Sequence, residues 1–416
     1  GKISIEIRGS SSQGFPKKSY GFETQTLNGD NENVPLLGLP AENDWVLHGP
    51  YSDKTLLRNV LAYKLFEKMG HYSPRTKYCE LIINDEYQGV YVLIEKIKRD
   101  INRLNIKKLD ETDVTGGYII KIDKLTDASS GDLWCLPYPS TLGGGSLCFQ
   151  YHHPSAEKLS SEHKQYVQSF VDAVLISIDQ ANQEDNLSLS NLFNMASFID
   201  YFIISEVSKN IDGYRLSTFL YKDSDELLGK LNMGPTWDYN LGFGNANYCA
   251  GFKTNGWVLE EGCRDDAPLY WSHLINNNSF TASLKSRWQQ LRETTLDTDS
   301  VFHFIDSVSN HIYTAQARNF EKWDILNTYV WPNYYFNSNS YQEEVDYLKS
   351  WILNRLNWID LNIDALDSIL NYCDSENKNL MYITDLIGRQ VTLPTNQPII
   401  YVYDNGCVER FLRFDY

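Results

Sequence analysis

No run in the 416-residue chain approaches the ~20 apolar residues that cross a bilayer as a helix, so a helical membrane span is not expected. The seven cysteines (79, 135, 148, 249, 263, 373 and 407) form no CxxC pair and no Cys/His cluster of zinc spacing, which argues against a structural zinc site. Cys135 with Cys148, or Cys249 with Cys263, can instead close loops in an oxidising compartment, and the odd count leaves at least one thiol over. Free buried cysteines are the competing reading. Basic side chains are scarce beside acidic ones, 37 Lys and Arg against 54 Asp and Glu, and the formal charge of −17 would repel nucleic acid or an anionic membrane. Any phosphate site must therefore be local. Catalytic signatures are missing too: there is no G-x-S-x-G elbow, no Walker A loop and no protein-kinase G-x-G-x-x-G. The histidines, His152-His153 included, make no metal-spaced pair on a helix.

Aromatic residues are abundant, 28 Tyr, 18 Phe and 10 Trp, and with 42% hydrophobic residues they exclude disorder. The same aromatics admit a carbohydrate-binding reading, although aromatics at this level more often build a core. The length fits two or three domains, or one large domain with a tail. No signal-peptide pattern opens at Gly1. Ile3, Ile5 and Ile7 alternate from the outset as a strand under way, so an upstream segment is expected.

Along the chain, a Gly/Ser break from Arg8 to Gly14 joins this strand to a second containing Lys17-Lys18-Ser19-Tyr20. Asp53 is placed to cap a helix over 55–69 with Arg58 one turn inside, and strands at 77–83 and 90–95 flank an Asn84-Asp85 turn, the second ending at Glu95-Lys96. A strand at 118–122, a surface excursion over 129–146, a helix over about 161–178 and a buried helix at 196–207 follow. Strands near 216–222 and 227–232 and helices at about 281–293 and 342–369 complete the main domain. The residues from 373 onward read as short strands with tight turns.

Chemistry can reside at three places. Asp238 lies in Gly234-Pro235-Thr236-Trp237-Asp238, after a strand and beside glycine. Its carboxylate, with Asn240 and Asn245 as neutral oxygens, suits a hard divalent cation; a surface turn is the plain alternative. Asp212, in Asn210-Ile211-Asp212-Gly213 at a helix end, lies 26 residues earlier, and two acidic loops separated by a hairpin can converge on one cleft. An ordinary helix-ending turn is its alternative. The basic candidates are Lys17 or Lys18, Arg58, Lys96 and Arg103, with Glu95 placed to hold a lysine; solvated surface charge is the alternative. The Arg8–Gly14 loop can offer backbone N–H groups to phosphate.

Read in order, several blocks resemble the CotH kinase-like family: Ile7-Arg8-Gly9-Ser10-Ser11 with Pro16-Lys17-Lys18-Ser19-Tyr20, Asn43-Asp44-Trp45-Val46-Leu47-His48-Gly49-Pro50, Asp53-Lys54 with Leu57-Arg58-Asn59, Asn84-Asp85-Glu86-Tyr87-Gln88-Gly89 with Glu95-Lys96, Asn102-Arg103, Gly116-Gly117-Tyr118, Asn210-Ile211-Asp212-Gly213 and Gly234-Pro235-Thr236-Trp237-Asp238. The resemblance implies an α+β, two-lobe, protein-kinase-like fold over 1–372. It would have an antiparallel N-lobe (about 1–125), a helical C-lobe (about 147–372) and a β-rich appendage at 373–416. It implies ATP with Mg²⁺ or Mn²⁺ in the cleft and phosphoryl transfer to a protein hydroxyl. Asp212 would be in the catalytic loop, Asp238 and Asn240 at the metal, Lys17 or Lys18 at phosphate with Arg58 and Lys96 beside the nucleotide, and Glu95 in an N-lobe ion pair. Two departures stand out: Asn240 where family members often carry Asp, and Leu216-Ser217-Thr218 where they carry an Asn. A weak pseudokinase or surface-binding module is therefore the alternative. The tail, through Asp385-Leu386-Ile387-Gly388-Arg389-Gln390-Val391 and Tyr401-Val402-Tyr403-Asp404-Asn405-Gly406, resembles the type IX secretion sorting domains of Bacteroidota, which implies export to the cell surface by that machinery.

Overall fold

A computed structural model of the chain describes residues 1–366 except 110–111, 127, 139–145, 185–190, 262 and 264–266, and then 380–385, 390–391, 399–403 and 408–411. Its class is α+β, as the family resemblance implies.

The first sheet is antiparallel throughout. Strands β1 (Lys2–Arg8), β2 (Ser19–Gln25), β3 (Asp44–His48), β4 (Thr76–Ile83) and β5 (Glu86–Glu95) lie in the order β1-β2-β3-β5-β4. Asn84 and Asp85 both take positive φ, 50° and 64°, which is what a two-residue hairpin between right-twisted strands requires. β5 therefore starts four residues earlier than its hydrophobic alternation suggested. That alternation still sorts its faces. Val90, Val92 and Ile94 join the main core with Val60, Leu61 and Phe66 of helix α1 (Arg58–Lys68), while Tyr91 and Leu93 meet Trp45 and Leu47 on the other face. α1 begins three residues later than expected because Asp53 spends its carboxylate on the preceding turn. It accepts from Thr55 N at 3.2 Å and Arg58 N at 2.9 Å.

A second antiparallel sheet gathers β6 (Tyr118–Ile122), β7 (Leu133–Leu136), β8 (Leu147–His153), β9 (Thr218–Lys222) and β10 (Leu231–Met233) in the order β10-β9-β6-β8-β7. β6 pairs with β8 and β9, so residues 118–122 belong to this second sheet and not to the first. Helix α2 (Ser161–Glu184) and helix α3 (Met195–Ser208) lead into it, and α3 is buried on nearly all sides, as its apolar sequence demands. Helices α4 (Tyr270–Asn276), α5 (Asn278–Arg292), α6 (Thr298–His311), α7 (Tyr313–Lys322) and α8 (Tyr341–Asn362) complete the body; α4, α6 and α7 went unread in the sequence. The tail forms a three-stranded antiparallel sheet of β11 (Leu380–Asp385), β12 (Ile399–Tyr403) and β13 (Val408–Phe411). Among the described residues no helix is long and apolar enough to cross a membrane.

Both cysteine pairs close: Cys135–Cys148 joins facing positions of β7 and β8, and Cys249–Cys263 closes the loop before α4. Cys79 is a free thiol, and Cys373 and Cys407 lie outside the described residues. Cross-linking across loops this short restricts the unfolded chain. Replacing Cys135 and Cys148 together by serine is expected to cost about 2–3 kcal/mol in denaturant unfolding. A loss below about 0.5 kcal/mol would show that the bridge adds nothing.

Candidate functional site

A cleft of about 1130 Å³ opens between the two sheets and the helical body. Four chain segments meet in it: the Gly/Ser turn between β1 and β2, the end of β6, the loop after α3 and the loop after β10.

The loop after β10 is fixed from α1. Asn59 and Tyr63, one helical turn apart, both reach it: Asn59 Oδ1 accepts from Tyr239 N at 2.7 Å, and Tyr63 Oη accepts from Asp238 N at 3.2 Å. Trp237 stacks on the Tyr63 ring at 6.1 Å and carries the Arg8 guanidinium on its face at 5.2 Å. Asp238 itself sits at φ 65°, a left-handed conformation that Asp tolerates better than most residues. Its carboxylate is open to the cleft yet ringed by protein. That enclosure, with Asp212 and Asp123 adding their charge and Arg8 and Lys124 opposing, pushes its pKa up to about 6.

The loop after α3 carries Asp212. α3 ends at Lys209 in a left-handed conformation (φ 44°), and the turn beyond it is tied to Asp212: Arg215 N and Leu216 N donate to its carbonyl at 3.3 and 2.9 Å, and Arg215 Nη2 pairs with Oδ1 at 2.7 Å. Burial raises the Asp212 pKa, with Arg215 and Lys124 acting against it and Asp123 with it. Asp212 and Asp238 thus line one cleft and feel each other's charge, the convergence expected of two acidic loops a hairpin apart.

The basic residues singled out in the sequence are elsewhere. Lys17 is buried behind the first sheet, donating to Val90 O at 2.6 Å and Asn319 Oδ1 at 2.7 Å, and burial without a carboxylate lowers its pKa to about 7. Lys18 donates to Gln13 O, Arg58 is locked on Asp53 at 2.6 Å, and Lys96 reaches Asp44 at 3.3 Å. Arg103 lies over Trp45 and pairs with Glu42. Glu95 does form an ion pair, with Arg75 at 2.7 Å rather than with a lysine. None of these six lines the cleft.

The cations that do are Arg8, Lys121, Lys124 and Arg215. Lys121 and Asp123 project from the same face at the end of β6, two residues apart, and pair at 2.8 Å; the other Asp123 oxygen accepts from Lys124 N at 2.9 Å and Ser217 N at 3.4 Å. Local sequence pattern does not single out Asp123, Lys124 or Arg215, and it marks Lys121 only as part of a strand. A Lys-x-Asp-Lys run leaving a strand just after Gly116-Gly117 was the available signal.

Among the described residues no cluster of three or more His, Cys, Asp or Glu can hold a metal ion unaided. The donors at Asp238 nevertheless fit a hard cation that shares its ligands with phosphate and water. Asn240 Oδ1 is buried beside the cleft without a hydrogen-bond partner, and the neighbouring carboxylate is one whose ionisation the enclosing protein disfavours.

Comparison with known proteins shows the family. Over a stretch of 98 residues the chain is 32% identical to the inner spore coat protein H of Bacillus subtilis (strain 168), a match covering 23% of this chain and 24% of that protein. The profile of the family described as CotH kinase protein matches residues 5–359, nearly the whole body that builds the cleft, and the chain belongs to the CotH kinase family.

Proposed function

We propose that the chain is a secreted atypical kinase that moves the γ-phosphoryl group of ATP to a Ser or Thr hydroxyl of a protein. The observation that carries this reading is the meeting of Asp212 and Asp238 in one cleft with four cations around them. The cation bound there, Mg²⁺ or Mn²⁺, would be held by Asp238 and Asn240 and would supply charge neutralisation for the phosphates. Arg8, Lys121 and Lys124 meet the phosphate oxygens in the role first expected of Lys17 or Lys18, while Asp212, aimed by Arg215, orients the acceptor hydroxyl and takes its proton. Arg58, Glu95 and Lys96 act at a distance, by holding the first sheet and α1. On this reading the first sheet with α1 is the N-lobe, up to about residue 125, and the helical body over about 147–372 the C-lobe.

The spore-coat relative and the two disulfides support a surface or extracellular site of action, and the tail at 373–416 is proposed to engage a Bacteroidota-type secretion machinery. A pseudokinase on the same fold draws support from the neutral Asn240 and the Asp212–Arg215 pair. Labelled ATP with Mg²⁺ or Mn²⁺ and casein as acceptor, beside a melting assay, separates the two: transfer that disappears in Asp238→Ala supports the kinase, and the lack of both transfer and Mg²⁺·ATP-dependent stabilisation supports the pseudokinase.

The raised pKa of Asp238 gives a pH test. Below about pH 6 a cation must displace the Asp238 proton, so the affinity for Mg²⁺·ATP is expected to fall up to tenfold per pH unit there and to level off above it. Titration calorimetry across this range reads it directly. An affinity constant down to about pH 5 would remove Asp238 from the metal site.

A further inference from the structure

We propose that Ser10, Ser11 and Ser12, on the flap between β1 and β2, are an intramolecular acceptor site, and that their phosphorylation closes the cleft to further nucleotide. The inference rests on the kinase reading above and adds to it a modification site and its regulatory effect.

All three serines line the same cleft as Asp212 and Asp238, with Ser10 and Ser11 exposed to it. Ser10 precedes a single 3-10 turn, Ser11–Gly14, without a side-chain capping bond. Of the other cleft serines, Ser19 Oγ already accepts from Gly49 N at 3.0 Å and Ser52 is buried, which leaves Thr126 and Ser146 as the exposed competitors. The flap is also anchored at the right place. Its stem residue Arg8 lies on Trp237, the neighbour of Asp238, and Asp238 is the carboxylate that acts most strongly on it. At roughly 3.3–3.6 Å per residue, Ser10 to Ser12 stay within about 7–14 Å of the Arg8 backbone. Gly9, at φ 107°, supplies a backbone state that other residues rarely adopt.

The step balances without a further reactant. A serine Oγ forms a bond to the γ-phosphorus of ATP, the bond from that phosphorus to the bridging oxygen breaks, ADP leaves with the electron pair, and the hydroxyl proton passes to the Asp212 carboxylate. The product carries close to two negative charges on a short tether beside Arg8, Lys121, Lys124 and Arg215. These are the groups that the phosphates of a second ATP would need, so the phosphoserine competes for them from within.

Trypsin gives the assay. Cleavage after Arg8 and Lys17 releases Gly9–Lys17, whose only hydroxyls are the three serines. After incubation of the full chain with ATP and Mg²⁺ or Mn²⁺, mass spectrometry is expected to find phosphate on this peptide, at a rate independent of protein concentration. None is expected with Asp238→Asn or with all three serines changed to alanine. The phosphorylated chain should bind ATP roughly tenfold more weakly than the unmodified chain, the equivalent of one charge-assisted hydrogen bond lost to the nucleotide. Casein labelling run in parallel keeps the outcomes apart. Casein labelled while Gly9–Lys17 stays bare, or phosphate only at Thr126 or Ser146, overturns this inference alone. A rate that scales with protein concentration overturns the intramolecular route, and unchanged ATP affinity overturns the closing of the cleft. No transfer to either acceptor removes the kinase reading and the inference together.

Discussion

Asp238→Asn is expected to lower phosphoryl transfer by roughly 10²–10³-fold and, at neutral pH, to raise the unfolding temperature of the nucleotide-free protein. The two effects have one origin. The fold holds an ionised carboxylate where enclosure and the Asp212 charge oppose it, and only a bound cation would compensate. The sign follows from proton counting. With a native pKa near 6 and an unfolded value of about 3.9, the native state binds more protons than the unfolded chain between those values. Stability therefore falls as pH rises through that window, and the penalty persists at pH 7. An amide of the same shape removes the penalty and keeps the backbone, because Asn accepts the left-handed φ of 65° as readily as Asp. It also removes the charge that holds the cation, so stabilisation by Mg²⁺·ATP should vanish together with transfer. Thermal melts with and without nucleotide, beside a labelled-ATP assay, check both halves. A variant that melts lower than the parent, or that transfers at the parental rate, contradicts this account of Asp238.

What the sequence revealed of this site is what local pattern encodes. Asp212 and Asp238 are legible because each follows the end of an element in a turn that contains glycine, and the hairpin between them is countable. The lysines are not, because their fate is decided by partners far along the chain. Lys17 stands one residue beyond an exposed proline, and its ammonium is claimed by Asn319, 302 positions away. The same long-range contact explains why α7 was missed. This helix buries Gln316 and Asn319 beside Phe320, so its inward face is largely polar and shows no apolar stripe. Asn319 takes hydrogen bonds from both Lys17 and Val90 N, and Trp323 donates to Gln88 O at 2.8 Å beside Gly89, where a Cβ would lie 2.5 Å from Asn319 Oδ1. A helix docked by such bonds leaves its signal in a glycine on another element. Lys121 and Asp123 failed to register for a simpler reason: alternation marks them as the polar side of a strand, and only the second sheet's position turns that side toward the cleft.

The support beneath Asp212 gives the second large effect. Arg355, on α8, is fully buried and pairs with the buried Glu206 of α3 at 3.1 Å. Its other nitrogens donate to Glu206 O, Thr254 O and Gly256 O, at 2.8, 3.0 and 2.7 Å. Glu206 in turn accepts from Tyr214 Oη at 3.0 Å and from Val258 N at 2.9 Å. One ion pair therefore ties together α8, the end of α3, the loop at 254–258 and the turn that bears Asp212. Arg355→Met keeps much of the stem volume but leaves the buried Glu206 carboxylate without its main countercharge, and breaking a buried pair in this way costs about 3–5 kcal/mol. Burial already raises the Glu206 pKa, with Arg355 as the main opposing charge, so loss of the guanidinium raises it further. The stranded group then accepts a proton more readily as pH falls, and the deficit should be smaller at acidic than at alkaline pH. Adding Glu206→Gln removes the charge altogether, and the double variant is expected to recover part of the loss, a coupling that a double-mutant cycle in urea isolates. Losses that simply add, or a deficit independent of pH, would mean that Arg355 acts through packing alone. Because Tyr214 hangs from Glu206 two residues after Asp212, the single variant should also weaken nucleotide-dependent transfer beyond what its folded fraction accounts for, and Arg355→Lys, which keeps a charge but loses the fork of donors, should fall between the two.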